Sequence, residues 1–216
     1  MIRTFRETQY IQKLVSEGEH EQQDFKFEIS DARKIARSIS AFANTRGGRL
    51  LVGIKDNGKI AGIRSEEEIY MIEAAAQMYC KPLVKIDMHT HVAEGKNVLE
   101  VLIEEATGKP VYAIDEQNNP KAYIRIKDEN ILATPVHLKV WKQAKTPKGT
   151  LLAFTEKEQH LLNILRDKGC LTLNECCRMS RNNRTETCIL LADFIRFGLV
   201  IPIFQGHKFY FKLNED

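Results

Sequence analysis

Between a double glycine at Gly47-Gly48 and an Asn-Gly pair at Asn57-Gly58 the chain reads GGRLLVGIKDNG. A short, near-continuous apolar run fenced by turn residues is a strand buried on both faces, and such a strand belongs at the centre of a sheet. Asn-Gly is the strongest short-range turn signal. The glycines in front suit the left-handed backbone that closes a helix. That helix is legible upstream, where Asp31 is a ready N-cap and Ile35, Ile39, Phe42 and Ala43 recur at helical spacing. A helix that feeds a central strand through a glycine cap commits this part of the chain to an α/β arrangement.

The neighbouring segments fit the same frame. Thr8 to Ser16 reads as a short helix closed by Gly18, and QDFKFEI alternates, which puts Phe25, Phe27 and Ile29 on one face of a strand. Ser65 and Glu68 form a capping box for a helix reaching about Cys80. Val84 to Val92 alternates, EGKN turns and Val98 to Ile103 returns; KAYIRIKD is a further strand, and Val136 to Trp141 reads as the last. The expectation for residues 1–142 is therefore an α/β (α+β) domain on a mixed, partly antiparallel sheet.

The polar segment WKQAKTPKGT then intervenes, and the grammar changes. In the second part, residues 143–216, linker comes first and three capped helices follow. Thr155 with Glu158, Thr172 with Glu175 and Asn183 with Glu186 are successive capping boxes, and Gly169 and Gly198 close the first and third helices. LVIPIF and KFYFKL then alternate around a tight turn at Gly206. Three helices followed by a hairpin is the winged helix-turn-helix order.

Composition adds limits. With 43% hydrophobic and 28% charged residues this is a folding sequence, and a formal net charge of +3 permits a polyanion partner without demanding one. The longest apolar runs are far shorter than a membrane span, and MIRTFRETQY has no apolar signal core, so a cytoplasmic address and no membrane partner are expected. The five cysteines, Cys80, Cys170, Cys176, Cys177 and Cys188, are odd in number, which argues for reduced thiols packed in the core. His89 and His91 share a strand face with Asp87; a His-x-His pair can ligate zinc or copper, but an exposed polar sheet face is the simpler reading.

The opening stretch also carries a resemblance. With GEHEQQDFK upstream, SAFANTRGG and LLVGIKDNGKIAGI resemble the Schlafen-like AlbA domain family, also called the Schlafen AlbA-type DNA-binding domain. GKPVY and AYIRIKDENILAT resemble elements near that domain's end, so the similarity spans about residues 10–140. The resemblance implies nucleic-acid binding. It also implies a nuclease alternative, because vertebrate Schlafens cleave transfer RNA with three acidic residues whose positions fall here on Glu19, Asp24 and Asp56. Asp24 stands where the family has Glu, and the chain holds one lobe where the Schlafen core has two, which a homodimer would supply. Such a trio would hold Mg²⁺ or Mn²⁺ through carboxylate oxygens; binding alone requires no cofactor.

Candidate contacts follow. Arg46 and Arg49 flank Gly47 and Gly48, where small residues let the backbone approach a phosphate and arginine grips it. Asn44 is either a ligand contact or a helix cap, and the resemblance adds Lys26 and Arg125 as phosphate contacts. In the second part Arg181, Asn182, Asn183, Arg184 and Thr187 would enter a major groove, with Lys208 and His207 at the wing. Three functions compete: a DNA-binding transcriptional regulator, working as a dimer and able to meet RNA as well; a metal-dependent ribonuclease; and a nucleotide-sensing module. The last is disfavoured by the lack of a G-x-x-x-x-G-K-[ST] motif.

Overall fold

The computed structural model describes residues 2–144 and 154–215. The chain divides between Leu132 and Ala133 into two units. The first begins with helix α1 (Ile2–Glu17), strand β1 (Gln23–Lys26), α2 (Ala32–Asn44) and β2 (Gly48–Val52). It continues through α3 (Glu67–Gln77), β3 (Cys80–Lys81), β4 (Ile86–Ala93), β5 (Lys96–Ile103), β6 (Tyr112–Ile114), β7 (Pro120–Ile126) and β8 (Glu129–Leu132).

Two four-stranded sheets result, ordered β1-β2-β5-β4 and β3-β6-β7-β8. β1 and β2 run parallel, joined across α2; the other pairs are antiparallel. The apolar strand is interior, as its composition requires: Leu50, Leu51 and Val52 are wholly buried. Helix α2 packs against both sheets, with Ile39, Phe42 and Ala43 in one core with Leu50, Val101 and Val111. Asp31 caps α2 by accepting from the backbone of Arg33 at 2.8 Å. The opposite face of the first sheet carries a second core in which α1 supplies Ile11 and Leu14 against Phe25, Leu51 and Val98.

Local expectations differ from the fold in three places. β1 ends at Lys26, so Phe25 and Ile29 enter different cores, while Phe27 lies beneath the cations of Lys55 and Arg64. Ser65 does not cap α3; Glu68 is buried and accepts instead from the backbone of Ile29 and Arg64 at 2.9 and 2.6 Å. Asn57-Gly58 turns the chain, closed by the isolated Ile54–Ile60 bridge and by backbone bonds such as Lys55 N–H to the Lys59 carbonyl at 3.0 Å, rather than by a hairpin of two strands.

The second unit holds α4 (Pro135–Ala144), α5 (Glu156–Lys168), β9 (Leu171–Thr172), α6 (Leu173–Ser180), α7 (Arg184–Arg196), β10 (Val200–Gln205) and β11 (Lys208–Leu213). Its sheet is ordered β10-β11-β9. The three capping boxes form at Thr155, Thr172 and Asn183. Apart from α4, this is the winged-helix order. Val136 to Trp141, expected as a strand, is helical, because Pro135 starts a helix well and Val136 and Val140 sit one turn apart against the core of α5, α7 and the hairpin. The division of units accordingly precedes the expected boundary at 142. Most of the linker expected at 143–150 lies outside the described residues.

All five cysteines are free, but only Cys80, Cys176 and Cys188 are buried; Cys170 is exposed. Burial pushes the Cys80 and Cys176 thiols up to about 12. No described helix is long and apolar enough to cross a membrane.

Candidate nucleic-acid interface

Glu19 and Asp24 come together at the start of β1, and Asp56 does not join them. Glu19 Oε1 accepts from the Phe25 backbone at 2.8 Å. Burial, then its hydrogen bond with Asp24, hold the Glu19 carboxyl above its ordinary value. Asp24 is 3% exposed and sits between two cations, Arg125 at 3.1 Å and Lys26 at 2.6 Å. The parallel register sets Asp24 opposite Leu50, whereas Asp56 lies past the far end of β2, exposed in the turn. Among the described residues no three His, Cys, Asp or Glu side chains gather to hold a metal. A cation needs free, deprotonated ligands; here one carboxylate is neutralised by arginine and lysine, its neighbour takes up a proton more readily, and the third is elsewhere. The residues present do not fit a Mg²⁺ or Mn²⁺ site.

The glycine motif is chiefly a packing device. Gly47 has φ +69° and its N–H closes α2 on the Phe42 carbonyl at 2.9 Å. A Cβ at Gly47 would come within 2.7 Å of the Ile103 carbonyl, and one at Gly48 within 2.4 Å of the Phe42 ring. Asn44, expected as a possible ligand contact, is 3% exposed: its amide donates to the carbonyls of Val111 and Tyr123 and accepts from the Val111 backbone, tying α2 to the second sheet. Arg125, expected at a phosphate, is 2% exposed and bonds Asp24, Asn130 and the Gln23 carbonyl over the Phe42 ring. Lys26 is drawn onto Asp24. Of this set Arg46 stands most open, with Glu21 at 3.6 Å.

Arg49 leads to a group that motif reading missed. It meets Glu100 at 3.3 Å, and the same buried carboxylate accepts from Tyr10 at 2.9 Å and lies 3.0 Å from His91. His91 is thereby half-buried, while His89 and Asp87 pair at 3.1 Å in the open. The available signal was an acid inside an apolar strand, NVLEVLI, which a buried charge permits only with partners. Beside this group a cavity of about 520 Å³ opens, bordered by Arg49, Lys85 and His20 but also by Glu17, Asp87 and Glu104.

In the second unit the turn between α6 and α7 is open. Arg181 is exposed with φ +58°, and Asn183 accepts from the Glu186 backbone at 2.9 Å as the N-cap of α7. Asn182 is half-buried, and its backbone lies on Ser180 at 3.4 Å. Arg184 is exposed and donates to Asn174 at 2.6 Å. Lys208 and His207 are exposed at the hairpin turn. Thr187, expected to reach bases, is wholly buried and donates to the Asn183 carbonyl at 2.9 Å, so it belongs to the core.

Comparison with known proteins adds a family. The model described as Schlafen, AlbA_2 matches residues 19–134, more than half of the chain. No curated protein matches. A solved protein of Corynebacterium diphtheriae shares 18% identity over 76% of this chain at a TM-score of 0.47; the chain spans 34% of that protein's length. The N-terminal domain of a RecG-related protein of Nitrosomonas europaea shares 20% identity at a TM-score of 0.44, over 69% of this chain and 96% of that one. A MarR family transcriptional regulator of Silicibacter pomeroyi shares 18% identity at 0.27, over 28% of this chain and 42% of that one. These likenesses are partial, and the winged-helix assignment rests on the order of elements from α5 to β11.

Proposed function

We propose that this chain, which belongs to the Schlafen AlbA_2 family, is a nucleic-acid-binding protein of regulatory type that holds duplex DNA through its winged helix. The observation that carries the reading is the exposure of Arg181, Arg184 and Lys208 at the α6–α7 turn and the hairpin of a helix-turn-helix unit. In the first unit, Arg46 is the side chain best placed to add a phosphate contact. A homodimer belongs to the same proposal, since paired half-sites suit a winged helix; light scattering at high protein concentration reads the mass, and a monomer would remove that part.

Fluorescence anisotropy with duplex DNA tests the whole. Changing Arg181 and Arg184 together to Ala should weaken binding by about ten-fold or more and reduce the salt slope by about two, one for each arginine withdrawn from a phosphate. Unchanged affinity in a folded variant would turn the winged helix into a protein-binding module. The nuclease alternative draws only on the nearness of Glu19 and Asp24. Cleavage of transfer RNA in the presence of Mn²⁺, abolished by Asp56→Asn, would restore it.

A further inference from the structure

From Thr187 to Arg196 no residue of α7 is exposed. Thr187, Leu190, Leu191 and Phe194 fill one side. Cys188 and Ala192, on another side, are buried too, where α4 packs along α7. Helix α4 is an integral part of this core: Val136 is wholly buried in it, Val140 packs on it, and Gln143 hydrogen-bonds Asp193. A helix that reads a major groove along its length presents a row of exposed side chains to the base edges. In α7 only Arg184 and Thr185 of the first turn are exposed, preceded by Arg181 and Asn183.

Two clefts, each of about 350 Å³, share Arg184. One reaches Lys208 past Thr172, Asn174 and Phe209. The other reaches Lys139 on α4 past Thr185 and Cys188. Among the described residues no Asp or Glu lines either cleft. The Arg184 guanidinium donates to the neutral amide of Asn174 and, among the described residues, pairs with no carboxylate, so its charge is available. Three cations from α4, α7 and β11 thus border one strip; the carboxylates that act on them, Glu175 toward Lys208 and Asp193 toward Lys139, lie outside both linings.

We infer that Lys139, Arg184 and Lys208 form a phosphate-binding strip on which duplex DNA lies across the end of α7, with base contact confined to the α6–α7 turn. The inference rests on the nucleic-acid reading and narrows it: affinity comes from the sugar-phosphate backbone and hardly varies with sequence. Lys139 becomes a contact residue although it lies outside the helix-turn-helix.

The test is anisotropy of the full chain on two duplexes of unrelated sequence across a salt series, with thermal melts to confirm folding. Lys139→Gln should weaken both duplexes by the same factor, about 3- to 10-fold at low salt, and lower the salt slope by about one. Lys142→Gln, on the same helix but lining neither cleft, should change affinity by less than about two-fold. An unaffected Lys139→Gln beside a weakened Arg184→Ala would overturn the strip, as would an equal loss in Lys142→Gln. A preference of about 10³ or more for one duplex selected from a random pool would overturn backbone-directed binding. If the wild-type chain binds neither duplex, the nucleic-acid reading itself fails, and the strip with it.

Discussion

Asp24 shows how a residue that looks catalytic in a motif can serve the fold. Its carboxylate lies between Arg125, 2% exposed, and Lys26, and Arg125 in turn reaches Asn130 and the Gln23 carbonyl. Removing one partner of a buried pair leaves the other charge without compensation. Asp24→Ala should therefore cost about 3 kcal/mol of stability. Asp56→Asn, in an exposed turn, should stay within about 0.5 kcal/mol. Urea unfolding followed by circular dichroism measures both. Equal, small effects would show that the Asp24–Arg125 pair contributes little, and loss of any activity in Asp24→Ala could then be read as chemistry. The same logic covers Asn44 and Thr187, whose polar groups are satisfied inside the protein and offer nothing to a ligand.

At the scale of elements, what was legible in the sequence was local. Asp31, the glycine cap of α2, the interior strand β2 and the three capping boxes of the second unit depend on neighbours within a turn or so, and they stand where the spacing put them. The exposed turn Arg181–Arg184 was legible for the same reason. What depends on distant partners was not: Arg125 meets β1 across about a hundred residues, and Glu100 becomes a hub only once α1 brings Tyr10 to it. Helix α4 was misread because Val136, Leu138 and Val140 alternate like a strand while Val136 and Val140 also match a helical turn. Its start carries a testable property. The Thr134 hydroxyl lies 2.7 Å from His137 Nδ1, and the Thr134 backbone N–H donates to the same nitrogen at 3.3 Å, which requires that nitrogen unprotonated. Burial holds the His137 pKa down to about 4, against the edge of Phe209. An imidazole whose folded value is depressed binds fewer protons than the unfolded chain between about pH 4 and 6.5, so stability rises with pH across that window and is lost as pH falls through it. The span corresponds to at most about 3 kcal/mol. Trp141, 6.2 Å from the His137 ring and the single tryptophan of the chain, reports the melt. His137→Gln should flatten the dependence, and an unaltered slope would move its origin elsewhere.

For the whole molecule, the position of α4 decides where the second unit begins. Composition alone puts the break in the polar segment after Trp141, whereas the packing puts it between Leu132 and Ala133. The two boundaries make different fragments. A fragment of residues 133–216 keeps α4, and with it Val136, wholly buried among Cys188, Leu191 and Phe194. A fragment of residues 150–216 uncovers that side of α7. Two valines stripped from the core cost about 3 kcal/mol together, and the missing Gln143–Asp193 hydrogen bond adds about 1 kcal/mol. A domain of this size rests on only about 3 to 5 kcal/mol, so removing α4 consumes most of its margin. The longer fragment should unfold cooperatively in urea, bind duplex DNA and leave a hydrophobic dye dark. The shorter one should bind the dye, melt broadly and lose DNA affinity along with Lys139. Equal stability of the two would mean that α4 is a passenger on α7 and that the linker is the true boundary. Stable folding of the shorter fragment with tighter, sequence-selective DNA binding would mean that α4 covers a reading surface that α7 could otherwise use.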